Sequence, residues 1–232
     1  MWALINSDNS IAEIIRFPRN ITINNVQHSR KIFTTWSWAD LNAIGIYQVV
    51  DSGTKGDDRF QYTSQPTYTF NADDNNVTTS YTITEKNLND VNEVWSQEEI
   101  DDGQAPDGTN ANDAKLDIDG NQMVTVGLKT QAKEQAKRTA HDLIKRFGWL
   151  VQRVTMDSSQ TIPSAVTTYC ANIRTDCADI ITAIDNASDM TAFKALYQDT
   201  YNYDSDGEIT SVNTVARVNR WSDDTNVQQY VR

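Results

Sequence analysis

The side chains able to do covalent or metal chemistry are few and scattered. Only two histidines are present, His28 and His141. Nucleophilic catalysis needs such a base beside a serine or cysteine. His28 stands in Val26-Gln27-His28-Ser29-Arg30, a loop or strand end, and His141 lies next to the apolar stripe of a predicted helix. Neither has a nucleophile at a recognisable spacing, and there is no G-x-S-x-G element. Nine glycines, none clustered, leave no phosphate cradle. Cys170 and Cys177 share a predicted helix, which puts them about 10 Å apart along its axis. That is too far for a disulfide, and both read as small core residues. Asp204-Ser205-Asp206-Gly207-Glu208 resembles the opening of a calcium loop, which requires glycine in sixth position and glutamate in twelfth. Here Gly207 is fourth and Val215 twelfth, so the run reads as a turn. A glycan-cleaving pair of carboxylates would have to stand about 5–9.5 Å apart in a cleft, and spacing in sequence does not reveal such a pair. The expectation is a protein without catalytic residues, metal or cofactor, hence not an enzyme.

Charge narrows the partners. The chain has 232 residues and a formal net charge of −12, which argues against nucleic acid and against anionic membrane surfaces. The excess is local: residues 98–120 hold eight acidic side chains against one basic. No run is apolar for long enough to span a bilayer. Asp8, Glu13, Arg16 and Arg19 interrupt the start of the chain where a signal peptide needs an apolar stretch.

The elements that would carry any function fall into two sets. Residues 1–100 read as a β-rich domain. Trp2 to Ile5 and Ile11 to Ile15 flank a polar turn, Ile21 to Val26 turns at Asn24-Asn25, and Ile46 to Val50 is a strand. Ser37 or Asp40 opens a short helix that stops at Gly45. Phe60 to Phe70 and Val77 to Thr84 form a hairpin. Leu88, Val91, Val94 and Trp95 are spaced for a helix over residues 85–100. Residues 101–114 carry glycine, proline and aspartate without a large apolar residue until Leu116, and read as an acidic linker. Residues 115–232 read as a helical-hairpin domain with a C-terminal extension and short hairpins. Leu128, Ala132, Ala136, Ala140, Leu143 and Phe147 line one helical face. Val166, Cys170, Ile173, Cys177, Ile180 and Ile184 line another. Asp119-Gly120-Asn121 and Asp204 to Gly207 mark hairpin turns. Ser188 or Asp189 caps a third helix, and Trp221 to Arg232 has no clear pattern. The fold class is α+β.

The first long helix is basic on its outer face, with Lys129, Lys133, Lys137, Arg138, Lys145 and Arg146. That face reads as solvated, as a dock for the acidic linker or an acidic partner, or as a surface that could meet nucleic acid. In the first domain Trp2, Trp36, Trp38 and Tyr47 are candidate interface residues, because aromatic side chains concentrate where proteins meet.

Two stretches resemble a known group. Phe17-Pro18 through Ile21-Thr22-Ile23, Val26 to Phe33 and Trp36 to Tyr47 resembles the N-terminal part of a set of marine tailed-bacteriophage proteins. Lys129-Thr130, Arg138, Leu143, Trp149, Arg153, Ile162-Pro163, Val166, Tyr169 and Ile173-Arg174 resembles a module of phage tail fibre and tail-assembly-chaperone-like proteins. The resemblance covers about half the chain and carries no catalytic motif. It implies a structural tail component, as fibre, appendage, baseplate or adaptor subunit. Such a subunit would bind other tail proteins and itself, and would reside in the virion tail after assembly in the host cytoplasm. The alternative it implies is a tail or tail-fibre assembly chaperone. The chain departs from the module by continuing past Ala187 to Arg232.

Overall fold

A computed structural model describes residues 1–231. The fold is α+β, with strands dominating the first part of the chain and helices the second. Two compact units divide between Glu85 and Lys86. The expected boundary was the acidic run at 101–114, after a domain of residues 1–100. That run belongs instead to the second unit, because it is hydrogen-bonded there. The Trp95 N–H donates to the Asp113 carbonyl at 2.9 Å, and the Asn112 N–H donates to the Trp95 carbonyl at 2.8 Å.

The first unit holds β1 (Trp2–Ile5), β2 (Ile11–Ile15), β3 (Ile21–Ile23), β4 (Val26–His28), α1 (Ile32–Thr35), α2 (Trp38–Ala43), β5 (Ile46–Val50), β6 (Gln61–Thr63), β7 (Thr67–Asn71), β8 (Asn76–Ser80) and β9 (Ile83–Glu85). Five strands form one sheet in the order β2-β1-β5-β8-β7, antiparallel except between β5 and β8. Alternation along the strands sends successive side chains to opposite faces. Trp2, Leu4, Ile15 and Ile46 meet Ile21 and Ile23 of the β3–β4 hairpin and Ile32, Phe33 and Leu41 of the two short helices. On the other face Ala3, Ile5, Val49 and Val77 pack with Tyr47, Tyr68 and Phe70. The edge strands β2 and β7 come into contact, so the sheet curls around this second cluster. The Ser37 hydroxyl and the Asp40 carboxylate make a reciprocal capping box at the start of α2. Asn24 and Asn25, with φ of 48° and 63°, form the tight turn between β3 and β4.

The second unit opens with a small β meander: β10 (Val91–Asn92), α3 (Gln97–Asp101) and β11 (Val124–Thr125). Here the expected helix over residues 85–100 fails. Only Gln97–Asp101 is helical, and Val91–Asn92 pairs with Val124–Thr125. Asn87, Asn89, Asp90 and Asn92 favour turns over helix interiors, and the backbone of this segment is committed to a distant partner described below. Lys115 ties the meander together. Its ammonium pairs with Glu99 at 2.5 Å and lies over the Trp95 ring at 4.7 Å.

Three helices follow: α4 (Leu128–Lys145), α5 (Gly148–Met156) and α6 (Ser164–Asn186), with α4 and α6 packed on each other. Most of both stripes is buried as the spacing requires, with Leu143, Cys170 and Cys177 half-buried at their margins. Ala132, Ala136 and Ala140 are small enough to admit Ile173, Ile180 and Ile184, each fully buried. The chain resumes a helix at Gly148, where the sequence reads only as a break. Then α7 (Met190–Ala195), capped by the Asp189 carboxylate, buries Phe193. The β12–β13 hairpin (Thr200–Tyr203 and Ile209–Thr214) follows. The patternless tail proves to be structural. A 3-10 helix at Thr225–Tyr230 places Val227 in the helical core, and the Trp149 indole N–H donates to the Tyr230 carbonyl at 3.0 Å.

Candidate functional site

The chemistry-bearing residues do not converge. His28 lies edge-on to Trp36 with ring centroids 5.8 Å apart, in the first unit. His141 is exposed on α4, in the second. Cys170 and Cys177 are both free and half-buried, and burial pushes both thiols up, away from the reactive thiolate. Among the described residues no group of three or more His, Cys, Asp or Glu side chains could hold a metal ion. The acidic run at Asp204 is a turn: one Asp204 carboxylate oxygen accepts the N–H groups of Asp206 and Glu208, each at 2.9 Å.

Part of the basic face of α4 is used inside the fold. Lys133 pairs with Asp185 at 2.9 Å, and the Lys129 ammonium donates to the Asp185 carbonyl at 3.1 Å. These contacts place two cations at the negative C-terminal end of α6. Lys137 pairs with Glu134 on its own helix. Lys145, at the other end of α4, faces different surroundings.

Of the four candidate interface aromatics, Trp2 and Tyr47 are half-buried in packing. Trp2 lies 4.9 Å from Phe33, and Tyr47 lies 4.6 Å from Phe70. Trp36 and Trp38 flank the start of α2 and are 40% and 43% exposed. The structure therefore leaves Trp36 and Trp38 available and gives Trp2 and Tyr47 to the two faces of the sheet.

Three surfaces were not singled out by sequence reasoning. The first is the β12–β13 hairpin, every residue of which is exposed. Tyr201 opposes Val212 and Tyr203 opposes Ile209, so four large apolar side chains share one uncovered face. Tyr201 and Tyr203 alternate in the sequence, whereas Ile209 and Val212 stand three apart and come opposite them through an irregularity in the register, and neither spacing says that nothing covers the face. The second is the meander, where Val94, Leu116 and Ile118 stand outward. The third is a cavity of about 270 Å³ between the end of α4, the start of α5 and the first half of α6. Ile144, Val151, Ile162, Val166 and Cys170 make its apolar wall, with Lys145 and Arg174 beside them. All three are uncovered in the isolated chain.

No family model, no curated protein and no solved structure matches this chain. Among the described residues no helix is long and apolar enough to cross a membrane.

Proposed function

We propose that this chain is a structural component of a bacteriophage tail, acting by protein–protein binding as a fibre, appendage, baseplate or adaptor subunit. The observation that carries the binding role is the uncovered apolar face of Tyr201, Tyr203, Ile209 and Val212. A two-stranded hairpin is marginally stable on its own, and contiguous exposed apolar surface marks interaction sites. Trp36 and Trp38 give the first unit a second contact surface. The phage context rests on the resemblance of the two stretches described above. The role needs no catalytic group, cofactor, nucleic acid or membrane insertion, and its place is the virion tail.

Mass spectrometry of purified particles from the source tests this reading. The expected result is the chain in fixed ratio to other tail proteins, and loss of the chain from particles when Tyr203→Asp and Ile209→Asp are combined. Presence during assembly with absence from finished particles would replace the structural role by that of an assembly chaperone.

A further inference from the structure

The turn after Leu116 presents an aliphatic side chain entirely to water. Ile118 is 101% exposed and Leu116 is 56% exposed. The turn is fixed in shape. One Asp117 carboxylate oxygen accepts the N–H groups of Asp119 at 2.9 Å and Asn121 at 2.8 Å. Gly120, at φ 83°, closes the loop. The result is a rigid apolar tip between two acidic side chains, Asp117 and Asp119. Such a tip loses little conformational freedom on docking.

The cavity at the far end of α4 has the opposite character. Its wall is aliphatic, and at about 270 Å³ it lies just below the size typical of small-molecule pockets. That volume suits one or two aliphatic side chains. Lys145 and Arg174 stand beside the wall, and neither pairs with a carboxylate among the described residues. An apolar tip bordered by acid and an apolar hole bordered by base are complementary in shape class and in charge.

We infer that this chain associates with a second copy of itself head to tail, Leu116 and Ile118 of one copy entering the cavity lined by Ile144, Val166 and Cys170 of the next, with Asp117 and Asp119 facing Lys145 and Arg174. The contact is heterologous, since tip and cavity are different surfaces. Repetition closes a ring or extends a filament according to the rotation between neighbours. The net charge of −12 opposes association at long range, so the contact is concentration-dependent and local. It deepens the proposed structural role by naming one neighbour, and it fails separately from that role, because incorporation into particles is measured on a different sample.

The test uses the full chain and two variants, Ile118→Asp and Lys145→Glu combined with Arg174→Glu, in sedimentation velocity from low micromolar to hundreds of micromolar. All three altered positions are exposed, and circular dichroism with a melting curve establishes that each variant is folded. The unaltered chain is expected to form oligomers that grow with concentration, and each variant alone to remain monomeric. Mixed together, the two variants are expected to form a one-to-one dimer and nothing larger. The first retains its cavity and the second retains its tip, so one contact forms and the series then ends. A monomeric unaltered chain at every concentration would overturn the inference, as would oligomers that survive Ile118→Asp, or mixed variants that do not pair.

Discussion

Asp90 closes the N-terminus of a helix that begins far along the chain from it, at Gly127. Its carboxylate accepts the Gly127 N–H at 2.7 Å and the Thr130 hydroxyl at 3.0 Å. The carbonyls of Asn87 and Leu88 accept the next two N–H groups, those of Leu128 at 2.9 Å and Lys129 at 3.0 Å. A helix start leaves four N–H groups without partners, and α4 has no side-chain cap of its own. Segment 87–90 supplies that cap. The approach is close enough to require glycine: a Cβ at position 127 would lie 2.3 Å from the Asn89 carbonyl carbon.

Removing this cap has a graded outcome. Asp90→Ala is expected to lower stability by about 0.5–2 kcal/mol, the range for loss of an N-cap. Gly127→Ala is expected to cost more, because the Asn89 backbone must move. Urea denaturation of both variants measures the order, and a milder effect from Gly127→Ala would show that the segment yields without resistance.

The helical core makes a sharper contrast. Ile173 is fully buried between the helices, so Ile173→Ala is expected to cost about 2–5 kcal/mol. Ile209→Ala, on the uncovered hairpin, is expected to stay within about 0.5 kcal/mol of the unaltered protein. Equal effects at the two positions would mean that the hairpin is covered in the isolated chain.

Val227 tests the tail. It is buried against Phe147, Leu150 and Ile173, where a carboxylate would have no partner. Val227→Asp is expected to destabilise the second unit by more than about 2 kcal/mol, read as a lowered denaturation midpoint and as new binding of a hydrophobic dye.

Glu99 gives a pH signature. The Lys115 ammonium, with further help from the Ser96 N–H and hydroxyl, holds its carboxyl down to about 2. A carboxyl depressed on folding stabilises the folded state at every pH above its unfolded value. That contribution disappears as pH falls through the folded value. Chemical-shift titration of Glu99 is expected to show a midpoint near the bottom of the acidic range, and Lys115→Met is expected to move it upward. An unmoved midpoint would separate Glu99 from Lys115.

The long helices were legible because their stripes persist, in steps of three and four, over many turns. Leu88, Val91, Val94 and Trp95 have the same spacing without becoming a helix. What overrides them is the demand of the α4 N-terminus for carbonyls and a carboxylate, and that demand arises some forty residues away. Composition also misled at residues 101–114, where glycine, proline and aspartate suggest an unpaired linker. Turn residues that hydrogen-bond to Trp95 look the same in sequence. Trp2 and Tyr47 were equally readable as surface or core, since strand alternation sorts side chains into two faces without saying which is covered. Ile118 was visible as half of a hairpin signal, but its exposure depends on the turn geometry set by Asp117.

The tail that covers the helical core has a consequence for the order in which the protein can form. Helices α4 and α6 emerge from the ribosome before Val227 and Tyr230 exist, so Phe147, Leu150 and Trp149 wait with an open side during synthesis. A growing chain stalled after Asn186 would carry the paired helices with that side still wet, and would be a target for holding factors in the cell. The curled sheet of the first unit has all its strands by Glu85. Translation therefore delivers a completed sheet first and a helical unit that seals only once residues 221–230 have cleared the exit tunnel.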